Sequence, residues 1–433
     1  MAQKHIHPQA IAFAEETTVC VPPADWTAAT AIEFISCDLS GVKEALVADP
    51  TAERRAFRVG ERARVKGIRN CTASLVLKLH GVGEETADTM QVENTYLARI
   101  LKHCLGQAVR GYSTTIDGPG TTAIPIVASI TGVVPGVMLA FEDVTSPTEQ
   151  NEGILHFRRV LSVDAGTKAV VLSEALGFTP QDGDKVHACI TGAFDDTYLV
   201  DAVAAGGTMQ WYVKRETGNT DDDLLWTLEG SVASMKLDGL GRGALPTINL
   251  ELQAANFRHG AADGLNNVAL ATPEGHAQLS MGTNVRMLIS PSASNASVEV
   301  DQVSAALDIG MTRKPTLSHT ERLNRFDGLS SYSYDPGAST MTVTVVGYTA
   351  DWYAALAADS TWRLTLYQPG DGSGAGKAWC IHAPMARLIE TPARTDVDMV
   401  HGVSLKFQLC ESDDATPASN QNLEMSRLLI ALA

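Results

Sequence analysis

Alternation of apolar and polar side chains governs this chain, and it is cleanest within Leu224–Phe257. Ile248, Leu250, Leu252 and Ala254 share one parity, while Thr247, Asn249, Glu251 and Gln253 share the other. A repeat of two puts one face of a strand in a core and the other toward solvent or a partner. The Gly/Pro-rich stretch Gly239–Pro246 separates this run from an earlier one, so the whole reads as a long β-hairpin. Related runs occur at Ala31–Leu39, Asn70–His80, Phe157–Val163, Met341–Val346, Thr361–Tyr367 and Val403–Leu409. The expected fold class is therefore mainly β, with sandwich or barrel domains.

Two stretches depart from that period. Over Thr89–Leu105, Val92, Tyr96, Leu97, Ile100, Leu101, Cys104 and Leu105 recur at helical steps and form one apolar stripe. Asp88 or Thr89 can cap this helix, and Gly106 can supply the left-handed residue that ends it. Thr349–Ser360 predicts a shorter helix, with Thr349 as cap and Trp352 and Leu356 on one face. Strands around one packed α-helix thus occur twice, which suggests a coarse duplication. The resulting boundaries are an arm at 1–24, a first β domain at 25–270, a second at 271–410 and a tail at 411–433. Residues 130–190 differ in texture, with close-spaced short strands and the tight turns Asp164–Lys168 and Gln181–Asp184. They predict a small inserted β-barrel.

Charge and motifs narrow the function classes. The net charge, 33 − 50 = −17, argues against specific binding to a phosphate backbone. It suits plain solubility, or a surface that stays near nucleic acid without sticking to it. The basic stretch Arg54–Lys66, with five arginines and one lysine, reads as a solvated face or as a contact with an acidic neighbouring subunit. Seven scattered cysteines without a Cys-x-x-Cys pair give neither a disulfide framework nor a zinc site. No apolar run approaches the roughly 20 residues that span a bilayer, and the N-terminus has no secretory h-region. The chain is expected to be cytosolic at synthesis.

Gly370–Lys377 fails as a phosphate loop, because Asp371 stands where the first glycine is needed and Ala378 replaces the magnesium-binding hydroxyl. Gly239-Leu-Gly-Arg-Gly243 lacks a strand-to-helix setting. The two tight turns lack the spaced oxygens of a calcium loop. No nucleophile elbow or zinc-protease helix is present. A glycosidase carboxylate pair need not be close in sequence, so a glycan-active β-sandwich hydrolase stays as a minor alternative. No catalytic, cofactor-binding or metal residue is assigned, and no cofactor is expected.

At Leu225–Phe257 the pattern resembles the tail tube proteins of long-tailed bacteriophages. In that family a strand with a small-residue pivot, here Leu228-Glu-Gly-Ser-Val232, precedes a Gly-rich turn, and a strand then crosses back toward an aromatic, here Phe257. Asn70–Leu79 followed by the helix to Gly106 is similar to the family's strand-then-helix element, and Asp398–Leu409 to its closing strand. The resemblance implies two tandem tube-like domains in a chain longer than single-domain subunits. It also implies a homotrimeric ring with pseudo-sixfold symmetry, or a hexamer, stacking into a conduit for DNA ejection. The insertion would project outside the tube.

Implied partners are copies of the chain, a tape-measure protein, and tail terminator and distal tail proteins. DNA would pass through the lumen without specific binding, and the location would be the virion tail, after synthesis in the host cytoplasm. Candidate interface or loop residues are Leu228, Gly239, Gly241, Gly243, Ile248, Leu250, Leu252 and Phe257. Candidate inter-ring residues are Leu423, Met425, Leu428, Leu429 and Leu432, so removal of the tail is expected to weaken stacking and spare the fold. Another tail, baseplate or adhesion component is the competing virion role.

Overall fold

The computed structural model describes residues 9–16, 30–32, 34–47, 65–81, 96–118, 120–148, 152–195, 199, 207–213, 224–254, 256–261, 285–292, 294, 296–317, 329–346, 351–370, 378–397, 400–412 and 421–433. The chain begins with β1 (Gln9–Glu15), β2 (Thr30–Ile32), β3 (Ser36–Asp38), β4 (Val42–Val47), β5 (Val65–Lys78), helix α1 (Tyr96–Leu105) and β6 (Gly106–Arg110). An inserted part follows: β7 (Thr114–Thr115), β8 (Met138–Glu142), β9 (His156–Asp164), β10 (Ala169–Leu172) and β11 (Lys185–His187). The chain returns through β12 (Ile190–Phe194), β13 (Gly207–Val213), β14 (Leu224–Asp238), β15 (Thr247–Ala254) and β16 (Asn256–Ala261).

The later half starts with β17 (Arg286–Pro291), β18 (Val298–Asp308), β19 (Met311–Leu317), β20 (Leu329–Pro336) and β21 (Thr340–Val346). Helix α2 (Trp352–Ala357) precedes β22 (Thr361–Gln368), β23 (Trp379–Leu388), β24 (Ala393–Val397) and β25 (Val400–Cys410). Helix α3 (Gln421–Met425) and β26 (Leu429–Leu432) end the chain. The fold is mainly β, as the alternation implies, and the pairings between these strands are antiparallel.

The long hairpin is built around one strand. β14 keeps a constant register with its return strands from Leu224↔Ala261 to Asp238↔Thr247. Its first half lies between β13 and β16, and its second half between β15 and β18. The change falls at Gly230, whose φ of 59° is left-handed and costs a residue without Cβ little. The Gly230 N–H donates to the buried Glu16 carboxylate at 2.8 Å, so the residue just after β1 helps fix the pivot. In β15 the observed burial alternates as its sequence does, with Ile248, Leu250, Leu252 and Ala254 inside.

Helix α1 buries Tyr96, Leu97, Ile100, Leu101, Cys104 and Leu105 in the main core. Gly106 ends it with φ 102°, as the sequence predicts. The proposed caps Asp88 and Thr89, and Val92, lie outside the described residues. Helix α2 is capped by Asp351, whose Oδ1 accepts the Ala354 N–H at 3.0 Å; Thr349 lies outside the described residues. Trp352 of α2 packs on Trp362 and Phe407, with ring centroids 5.2 and 6.2 Å apart. The run Ala31–Leu39 forms two short strands, β2 and β3, whose partners differ: β2 joins β1, and β3 joins β5.

In the later half the pairings run in a closed circuit, β17–β18–β21–β25–β23–β22 and back to β17. The inserted strands are ordered β10-β9-β8-β11-β7. Bridges Ile126↔Ala169 and Ile116↔Val127 connect the two outer strands, so this sheet also closes. It begins at Thr114, earlier than the expected 130. The boundary at 270/271 lies outside the described residues. Among the described residues, pairings cross it twice, through β14–β18 and through β12–β26–β23.

Candidate functional site

The hairpin has two unlike faces. Leu228, Ile248, Leu250, Leu252 and Phe257, named as interface candidates, point into this chain's own core and are at most 7% exposed. What remains for a partner is the opposite parity. There β14, β15, β5 and β3 together present Ser234, Lys236, Asp238, Asn249, Glu251, Ser74, Lys78 and Asp38 on one sheet face. An open groove of about 380 Å³ crosses it, lined chiefly by Asp38, Thr72, Ser74, Lys236, Asn249 and Glu251.

Most of the lining side chains are polar, and several are tied to one another or to their surroundings. Asn249 Nδ2 donates to Asp238 Oδ2 at 2.6 Å, and Lys236 lies 3.2 Å from Asp308. The Ser40 N–H donates to Asp38 Oδ1 at 2.8 Å and holds that carboxyl below its usual range. Lys78 and Lys236 face Asp38, Asp238, Glu251 and, across from Lys236, Asp308, giving 2 − 4 = −2 for these charged groups of the face.

The glycine turn is pinned to its own chain. A Cβ at Gly241 would stand 2.3 Å from the Val303 carbonyl, so only glycine lets the turn rest on β18. Gln302 Nε2 donates to the Leu240 carbonyl at 3.1 Å, and Arg242 meets Asp301 at 2.8 Å. Gly239 and Gly243 supply left-handed positions, with φ of 67° and 72°. Of these three turn glycines, only Gly243 has open space around its Cβ position.

The tail residues occupy a different place from the one expected. Leu423, Leu428, Leu429 and Leu432 are at most 1% exposed, and only Met425 reaches the surface at 39%. The reason is strand pairing. β26 inserts between β12 and β23, with Ile190↔Leu432 on one edge and Trp379↔Leu432 on the other. Arg159 holds the entry to this segment, donating to Ser412 Oγ at 3.3 Å and to the Glu424 carbonyl. The segment is a structural strand of this chain and leaves Met425 as its one surface residue among the five candidates.

Sequence reasoning missed a buried polar cluster where the inserted barrel meets the later half. Glu174, after β10, accepts hydrogen bonds from Ser290 Oγ at 3.2 Å and Thr365 Oγ1 at 3.2 Å. Thr365 Oγ1 also lies 2.9 Å from His382 Nδ1. Arg363 reaches back with Nη1 to the Ser173 carbonyl at 2.6 Å and with Nη2 to the Ser292 carbonyl at 2.9 Å. Arg158 Nε donates to the Ala175 carbonyl at 2.9 Å. Glu174 and Thr365 are fully buried and His382 is 1% exposed, so this Glu–Thr–His relay has no route to a substrate. One sequence signal existed: two adjacent arginines in an alternating strand force one of them onto the inner face.

The tight turns also have internal uses. Asp184 is fully buried and accepts the backbone N–H groups of Val144, Thr145 and Gln181, as well as the Thr145 hydroxyl. Asp164 accepts from Gly166 and Thr167 within its own turn. Among the described residues no group of three or more His, Cys, Asp or Glu side chains could hold a metal ion.

Fold and site thus define an antiparallel β protein with an exposed polar sheet face and a sealed polar junction. No family model and no curated protein matches the chain. Among the described residues no helix is long and apolar enough to cross a membrane.

Proposed function

We propose that this chain is a structural subunit of the tail tube of a long-tailed bacteriophage, polymerising as stacked rings around a DNA conduit. The observation that carries the reading is the long hairpin: β14 holds one register through two sheets, pivots at Gly230, and with β15 and β5 exposes a polar, weakly acidic face. Sheets closed around a ring lose their exposed edges, and head-to-tail contacts between rings make an open filament. A lumen wall of mixed, weakly acidic charge gives phosphate nothing to condense on.

Strands with one packed helix in each half of the chain, α1 in the first and α2 in the later, favour a trimeric ring over a hexamer. The tape-measure, terminator and distal tail partners rest on the family resemblance alone. Negative-stain imaging of the purified chain, with mass per ring, tests the reading. Tubes with an axial channel and three chains per ring are expected; a protein that stays monomeric and never enters tails would overturn it.

A further inference from the structure

The junction between the inserted barrel and the later half buries more than packing requires. Facing His382 are Arg158 and Arg159 from β9, Arg363 from β22 and, through Thr365, Glu174 from the segment after β10. The Thr365 hydroxyl has one proton, which goes to Glu174, so it accepts from His382 and the ring proton sits on Nδ1. His382 Nε2 then carries a lone pair, buried with no hydrogen-bond partner. His156 of β9 lies in the same contact region, against the Phe178 ring and facing Arg158 and Arg286 of β17. Its Nε2 is likewise buried without a partner.

A proton on either imidazole would add a cation to a buried site already rich in guanidinium groups. Burial first, and those guanidinium groups second, hold His382 well below the ordinary histidine range and His156 down to about 3. We propose that this junction is an acid-sensitive lock, which holds the inserted barrel to the later half and opens more often, while staying mostly closed, as pH falls through the range in which exposed histidine becomes cationic. The proposal does not depend on the tube reading.

The sign follows from linkage. A base whose closed-state pKa is depressed gives its full contribution above about 6.5 and loses it as pH falls toward the closed-state value. From pH 7.5 to 5.0 each histidine freed on opening raises the opening equilibrium about 30-fold. That window lies above the ordinary carboxylate range of about 4.

Hydrogen exchange of the full chain at pH 7.5 and 5.0, corrected for intrinsic rates, reads the lock directly. Protection in β9 and β22 should fall at least about 30-fold more than in β15 and α1, and His382→Phe should remove about 30-fold of that difference. Equal pH dependence in all four elements, or an undiminished difference in His382→Phe, would overturn the proposal. Where that variant does not fold, histidine C2-proton exchange in the wild type decides: His382 and His156 should show no midpoint between pH 8 and 5. A midpoint near 6.5 for either in the folded protein would sink the lock.

Discussion

Two single residues show how tertiary demands hide inside ordinary turn sequences. Gly230 is one of 36 glycines, yet it sits mid-strand with φ 59° where β14 passes from one sheet to the next. Gly230→Ala forces a Cβ into the left-handed region at a cost of about 1–2 kcal/mol. The expected result is a lower urea midpoint at unchanged slope; an unchanged midpoint would show that the pivot tolerates a side chain. Asp184 looks like one half of a polar turn, but its carboxylate collects donors from Val144, Thr145 and Gln181. Asp184→Ala would leave three backbone N–H groups without their acceptor, costing about 3 kcal/mol or more. Limited proteolysis should then cut within 120–187 sooner than in the wild type, while α1 keeps its protection. Cleavage at the wild-type rate would mean that water replaces the carboxylate.

Elements were legible where local pattern and final environment agree. β15 alternates in sequence because one face meets the core and the other meets solvent, and α1 carries its stripe for the same reason. β26 failed that test. Leu429–Leu432 are buried on both faces, so the run has no period, and the apolar residues of the tail read as contacts between rings. The arginines of β9 are opaque for a related reason: Ser412 and Glu424, partners of Arg159, lie more than 250 residues along the chain, and Ala175, the partner of Arg158, lies past a whole further strand. Deleting 421–433 removes a central strand and opens the edges of β12 and β23 together. The truncated chain is expected to aggregate, contrary to a tail that only links rings; a soluble chain with native near-ultraviolet dichroism would refute the strand's structural role. Ile430→Ala is the milder version, expected to cost about 2–5 kcal/mol by cavity formation.

At the scale of the molecule, the closed pairing circuit of the later half is joined to the first half by two strand bridges among the described residues, β14–β18 and β12–β26–β23. Forces on either half are therefore shared through hydrogen-bonded strands, as the proposed tube subunit would require. The polar face of β14, β15 and β5 is the part of this body whose charge can be altered without touching the core. Asp238 and Glu251 are exposed on it, and the double substitution Asp238→Lys/Glu251→Lys takes its charged groups from −2 to 4 − 2 = +2. If this face lines a DNA conduit, tubes of the variant should assemble normally yet retain short duplex DNA, releasing it as salt rises from about 50 to 200 mM, because each neutralised phosphate adds to the salt dependence. Wild-type tubes should retain none at either salt. Normal variant tubes that still ignore DNA would place this face away from the channel, whereas failure to form tubes with the monomer fold intact would make it a contact between subunits.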